Sequence, residues 1–157
     1  MVGHVGFPES IGMIASALGW HIDRIIQQRE PIIARLRRDT PFVTVAPGHT
    51  AGCLHTAVAY MQDRPLITLI HPQQVQPHLE QVATSDTIDI RGEPHIHIVG
   101  SPEIPGGIGT MALAVNMIPR VLSASPGLKC MAELPVPAAI MGDLRALIND
   151  RGRGSHG

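Results

Sequence analysis

Cysteine, aromatic residues and charge are all in short supply in this chain. Of its 157 residues only Cys53 and Cys130 are cysteine, and aromatics make up 3%. Two distant cysteines, with no CxxC and no Cys/His cluster at zinc spacing, argue against a disulfide framework and a structural zinc site. They fit free thiols in a reducing compartment. With so few rings the core must be aliphatic. Charged residues are 16% and the net charge is −1, which excludes an electrostatic nucleic-acid binder. No apolar run is long enough to span a membrane, and the N-terminus lacks the basic-then-apolar pattern of a signal peptide. The expectation is a soluble cytoplasmic protein.

Chemical signatures are equally sparse. There is no GxSxG around Ser10 or Ser101, no HExxH and no GK[ST]. Gly106-Gly107-Ile108-Gly109 superficially resembles a dinucleotide fingerprint. It is followed by no strand, however, and by no acid about twenty residues on, as a βαβ unit requires.

What is present is a patterned chain with 44% apolar residues. Residues 8–18 read as a helix, with Pro8 in its first turn, Ile11, Ile14, Ala15 and Leu18 on one face, and Gly19 as the stop. Residues 21–34 read as an edge strand, because Pro31 interrupts them. The cluster Arg35, Arg37 and Arg38 reads as a solvated strand end, and residues 40–48 as a loop or short strand. Thr50–Met61 and Pro65–His71 read as two strands joined by a turn. A three-residue turn sets His55 opposite His71, whereas a two-residue turn separates them. Residues 72–77 read as a loop.

Residues 87–90 and 95–99 form a hairpin whose alternation pairs Ile88 with Ile98 and Ile90 with Ile96 on a buried face, and places Asp89 opposite His97 on the other. Ile108, Met111, Val115, Ile118 and Leu122 then make a helical stripe expected to be buried, with Pro119 inside it. A short helix is expected over residues 138–148, and residues 151–157 read as a disordered tail. Helix, strands, then helices describe an α+β domain with an open sheet covered on one face. The other face is left for dimerisation or contact with another domain.

The nine histidines suggest ligands, but no third group joins His95 and His97 at metal-ligand spacing, and polar sheet-face histidines are the preferred reading over a metal hydrolase. Asp89 and His97 read as a cross-strand ion pair in preference to an acid/base pair. Cys53 reads as a small buried apolar residue.

Several stretches carry a resemblance: GHVGFPESIGMIASALGW at 3–20, REPII at 29–33, AGCLHT at 51–56, ITLIHPQQVQPHLE at 67–80 and SPEIPGGIGTMALAVNMIPRVLSASPGLKCMAELPVPAAIMGD at 101–143. Together they resemble the C-terminal half of the 2,4-diaminopentanoate dehydrogenase family, which is similar to dihydrodipicolinate reductases and native amine dehydrogenases. The resemblance implies a single substrate-binding and dimerising α+β domain over residues 1–150, with a mixed open sheet. It also implies NAD or NADP as cofactor, bound by an N-terminal Rossmann domain that has no counterpart here. The implied reaction is oxidative deamination of an amine or diamino acid such as 2,4-diaminopentanoate. The chain is then expected to be inactive alone, to form a homodimer, and to need a nucleotide-binding half on a separate chain or from a longer reading frame. Two helix starts, Gly6–Ser10 and Pro105–Thr110, are candidate carboxylate sites. The expected substrate-binding residues are Ser10, His55, His71, Gly107 and Thr110, with no catalytic, cofactor or metal residue in the chain. The competing expectation is a non-catalytic binding or scaffold module of the same shape.

Overall fold

The first helix, α1 (Gly6–Leu18), places Ile11 and Ala15 in a buried position a turn apart. It stops where expected. Gly19 adopts φ +68°, its N–H reaches the Ser16 carbonyl at 3.2 Å, and the Trp20 N–H reaches the Ala15 carbonyl at 2.8 Å. That pattern is a Schellman cap, which needs a residue without a Cβ at the left-handed position. The computed structural model describes residues 6–143 and Arg145. The chain divides into two units, Met1–Ala83 and Thr84–Gly157.

In the first unit α1 lies on an antiparallel sheet of order β1-β4-β5, formed by β1 (Arg24–Ile33), β4 (Thr50–Met61) and β5 (Arg64–Gln74). Between them β2 (Arg38–Asp39) and β3 (Thr44–Val45) make a small hairpin. Proline sorts the strand order. Pro31 lies in β1 and Pro65 and Pro72 in β5, both edges, while the central β4 has none. A central strand needs every N–H for its two neighbours, and an edge strand does not. The expected loop at residue 72 is therefore strand as far as Gln74.

The β4–β5 turn resolves the register by combining both sequence options. Only Gln62 and Asp63 form the turn, with φ of 49° and 60°, so Met61 pairs with Arg64. Asp23 accepts the Gln62 N–H at 2.6 Å, and Arg24 binds Asp63 at 2.5 Å, which holds this left-handed pair of residues. A bulge then makes Leu66 an extra residue, so Ala59 pairs with Ile67 and His55 with His71. The bulge also lets the consecutive residues Leu66 and Ile67 both pack on the core. That core is Ile11 and Ala15 of α1 against Ala57, Ala59 and Ile67. The two alanines on β4 let the helix backbone come close, and sealing Ile11 is worth roughly 1.5–3 kcal/mol.

One expectation in this unit is overturned. Arg35 and Arg37 are exposed, but Arg38 is fully buried. Its guanidinium binds Glu80 at 2.8 Å, Gln74 at 2.9 Å and the Val75 carbonyl. Glu80 sits in a 3-10 turn, Pro77–Glu80, and also accepts the Arg35 and Leu36 N–H groups at 2.8 and 3.2 Å. The Arg38 guanidinium, helped by these two N–H groups, draws the Glu80 carboxyl from 4.5 to about 2. A basic triplet gives no hint of this, because its partner is 42 residues away.

The second unit holds the hairpin β6 (Asp86–Ile90) and β7 (Ile96–Gly100), helix α2 (Gly106–Leu122) and a 3-10 turn at Met131–Glu133. The hairpin register is the expected one, Ile88 with Ile98, Asp89 with His97 and Ile90 with Ile96. Its isoleucine face is not buried, however: all four are at least 40% exposed. The stripe of α2 is likewise exposed at Ile108, Met111, Val115, Ile118 and Leu122, and the residue α2 does bury is Met117. Alternation and helical spacing say which residues share a face, but the described residues leave these two largely uncovered. Residues 138–143 are irregular where a helix was expected; Arg145 is helical, and the other residues of that segment and of the tail lie outside the described residues. The α+β class stands, with every described strand pair antiparallel, in three sheets.

Candidate functional site

The first turn of α1 brings Phe7 over the middle of the sheet, where the two histidines pair. Its ring stacks on His55 with centroids 4.2 Å apart and planes 10° from parallel, and it lies 6.5 Å from His71 at a 36° tilt. His55 is buried and His71 exposed. On the neighbouring β1, the Gln27 Oε1 meets His55 Nε2 at 2.9 Å. An amide oxygen there requires Nε2 to carry the hydrogen and donate it. Gln27 pairs with Ala57 in the ladder, so it is one inward position along from His55. The result is a graded row: an amide fixes a buried imidazole, a phenyl ring covers it, and a second imidazole stands open to solvent. His71 can offer a ring nitrogen to a polar ligand, with the Phe7 ring as an apolar or cation-binding wall beside it.

Of the candidates named from sequence, His55 and His71 are brought together. Ser10 is half-buried in the second turn of α1, because the helix begins at Gly6 rather than Pro8, so it does not cap the helix start. Gly107 and Thr110 lie in the other unit, exposed in the first turns of α2. The Thr110 hydroxyl donates to the Gly106 carbonyl at 2.8 Å, which leaves its oxygen as an acceptor. No side chain caps the start of α2 at Pro105. Sequence reasoning missed Gln27, and took in Phe7 only as part of the Gly6–Ser10 helix start. A signal existed for Gln27, the polar member of an inward row that begins with Ile25. For the ring of Phe7 there was none beyond its place in that helix start and its being one of two phenylalanines.

On the β6–β7 hairpin, Asp89 Oδ2 is 3.2 Å from His97 Nδ1 and 3.5 Å from His95 Nε2, with Arg91 3.8 Å from the other oxygen. This is the cross-strand pair read from sequence, widened by His95 and Arg91. All four side chains are substantially exposed, and surface pairs of this kind contribute about 0–1 kcal/mol. Among the described residues no group of three His, Cys, Asp or Glu side chains is arranged to hold a metal ion.

Comparison with known proteins bears directly on this geometry. The chain is 47% identical over 154 residues, 98% of its length, to 2,4-diaminopentanoate dehydrogenase of Acetoanaerobium sticklandii. It spans 44% of that relative, less than half of its length. Its fold matches the solved amine dehydrogenase of Mycobacterium smegmatis with a TM-score of 0.73 at 20% identity, over 85% of this chain and 39% of that one. Residues 1–150 match the family described as the 2,4-diaminopentanoate dehydrogenase C-terminal domain. The resemblance read from the motifs is thereby borne out, and the chain belongs to the 2,4-diaminopentanoate dehydrogenase C-terminal domain family.

Proposed function

We propose that this chain is the substrate-binding and dimerisation portion of an NAD(P)-dependent amine dehydrogenase that deaminates a diamino acid such as 2,4-diaminopentanoate. The observation that carries the substrate role is the Phe7–His55–His71 row, with its Gln27-fixed imidazole beneath and its open imidazole above. A diamino acid presents a carboxylate and two ammonium groups on a short aliphatic chain. His71 binds a polar end, Phe7 faces the chain or an ammonium group, and His55 holds Phe7 and His71 in place without meeting solvent. Ser10 is proposed as a further substrate contact within the first unit, through its hydroxyl oxygen; Gly107 and Thr110 are proposed by themselves as substrate contacts of the second unit, through backbone N–H and hydroxyl oxygen.

The described residues of this chain do not fit the nicotinamide dinucleotide itself. Among the described residues no strand pair is parallel, so no βαβ crossover aims a helix N-terminus along strand ends. The Gly106–Gly109 string opens α2 after an antiparallel hairpin. On this reading the nucleotide and the hydride step belong to a separate nucleotide-binding half. The exposed isoleucine face of β6–β7 supports the dimerisation role, since contiguous apolar surface of this kind favours a protein interface.

The test is reconstitution. The purified chain is combined with the nucleotide-binding portion of the Acetoanaerobium relative, and 2,4-diaminopentanoate-dependent NAD(P) reduction is followed. The mixture is expected to turn over and the chain alone to give nothing. In the mixture His71→Ala is expected to raise KM about tenfold or more, the loss of roughly one charge-assisted hydrogen bond. Normal turnover by the chain alone, or an unchanged KM in His71→Ala, refutes the proposal.

A further inference from the structure

Beyond the last turn of α2, the chain folds back to form a pocket of about 170 Å³ that is open to solvent on one side. Its polar lining is Arg120, Ser123, Ser125, Lys129 and Glu133. Arg120 is half-buried, and neither it nor Ser125 has a hydrogen-bond or ion-pair partner among the described residues. An arginine held half-buried at a pocket wall with no counter-ion among the described residues leaves its guanidinium free to pair with a negative group.

The other charges around the cavity set what that something is. Lys129 Nζ lies 3.9 Å from Glu133 Oε1, so these two offset each other. Glu133 stays ionised, because the Cys130 N–H donates to its Oε2 at 2.8 Å and holds its carboxyl below the usual range. The Ser123 hydroxyl donates to the Pro119 carbonyl at 2.8 Å. The carbonyl end of α2 adds partial negative charge. One positive charge, that of Arg120, is left over. A dianion would leave at least one full surplus negative charge beside Glu133 and the helix end, whereas a single carboxylate leaves only the partial charge of the helix end. It also matches the fork of the guanidinium with two parallel hydrogen bonds. The volume is well below the roughly 300–1,000 Å³ of pockets for larger ligands, so the molecule is short. Leu134 and Pro135 supply an apolar wall for its few carbons.

We infer that this cavity is a binding site for a small singly charged carboxylate, held by Arg120 and the Ser125 hydroxyl. The site is independent of the histidine row in the first unit, and its test does not involve turnover. The probe is sodium propionate, compared with sodium chloride at equal ionic strength on the full chain. At about 100 times its dissociation constant, propionate raises the melting temperature by roughly 5–10 °C for a protein of this size. It also shifts the Arg120 Nε–H signal in nitrogen-edited NMR spectra. Arg120→Lys keeps the charge but loses the fork and weakens binding about tenfold, and Arg120→Gln abolishes it. Ser125→Ala, at an exposed position outside the helix, weakens binding several-fold and carries the test if the arginine variants do not fold. The inference is overturned if propionate does no more than chloride, if the variants respond like the parent chain, or if inorganic phosphate binds more tightly than propionate.

Discussion

Replacing Gly52 with alanine adds one methyl group where the sheet has no room for it. A Cβ there falls 2.1 Å from the Gln73 carbonyl oxygen and 2.6 Å from the Gln74 Cα. Both are backbone atoms of the neighbouring strand, so no side-chain rotation relieves the clash. Ordinary contact requires β5 to retreat by roughly 1 Å. Gly52 pairs with Gln74 at the end of β5, next to the register slip that separates Ile32 from Ile33 on the other side. The retreat therefore strains the Val75 N–H bond to the Ala51 carbonyl, 3.0 Å, and the Gln74 bond to Arg38, 2.9 Å. Two lost hydrogen bonds amount to about 1–3 kcal/mol, and loosening a buried guanidinium adds about as much again. A total of about 2–6 kcal/mol lowers the melting temperature by roughly 5–20 °C. Gly12 is the matched control. It lies inside α1 with nothing within 4 Å of its would-be Cβ, so Gly12→Ala stabilises by about 0.5–1 kcal/mol through helix propensity. Thermal melts of both variants decide the matter. A Gly52→Ala protein that melts with the parent chain, or a Gly12→Ala protein that melts below it, refutes the reasoning.

Two further outcomes follow from the first unit. Ile11→Ala removes a fully buried side chain above Ala57 and Ala59, and its urea midpoint is expected to fall by the equivalent of about 2–5 kcal/mol. Glu80 is held at about 2 against its ordinary 4.5. Because the folded value is the lower one, its stabilising contribution is complete above the ordinary value and disappears as pH falls toward 2. The gap in urea midpoint between the parent chain and Glu80→Gln should therefore be wide at about pH 6 and nearly closed at about pH 2; a gap independent of pH removes Glu80 as its source.

Local chemistry explains what was legible. Gly19 needs no tertiary information to stop α1, and Pro31 needs none to mark β1 as an edge, because each acts through its own backbone geometry. The β6–β7 register was legible for a similar reason: the alternation leaves one pairing that keeps four isoleucines on a single face. The His55–His71 register was open because it depends on a bulge at Leu66, and that bulge is favoured only once the core under α1 exists to receive two consecutive side chains.

The harder failures share one physical cause. Arg38 was read as solvated, and the faces of β6–β7 and α2 were read as buried, because a one-dimensional pattern records polarity and spacing but not what comes to meet a surface. For Arg38 the missing partner was Glu80, brought across by the 3-10 turn that follows β5. For the isoleucine face and the α2 stripe the described residues supply no cover. Those two faces remain the best argument that this domain works in company. Apolar side chains held at regular strand and helix spacing are worth about 0.8 kcal/mol for each methylene withdrawn from water. Among the described residues much of that stabilisation is left uncollected, so a partner surface that covers these faces stabilises both itself and this unit. Sedimentation of the pure chain separates the cases: a dimer places the cover in a second copy, and a monomer that associates only when the nucleotide-binding portion is added places it there.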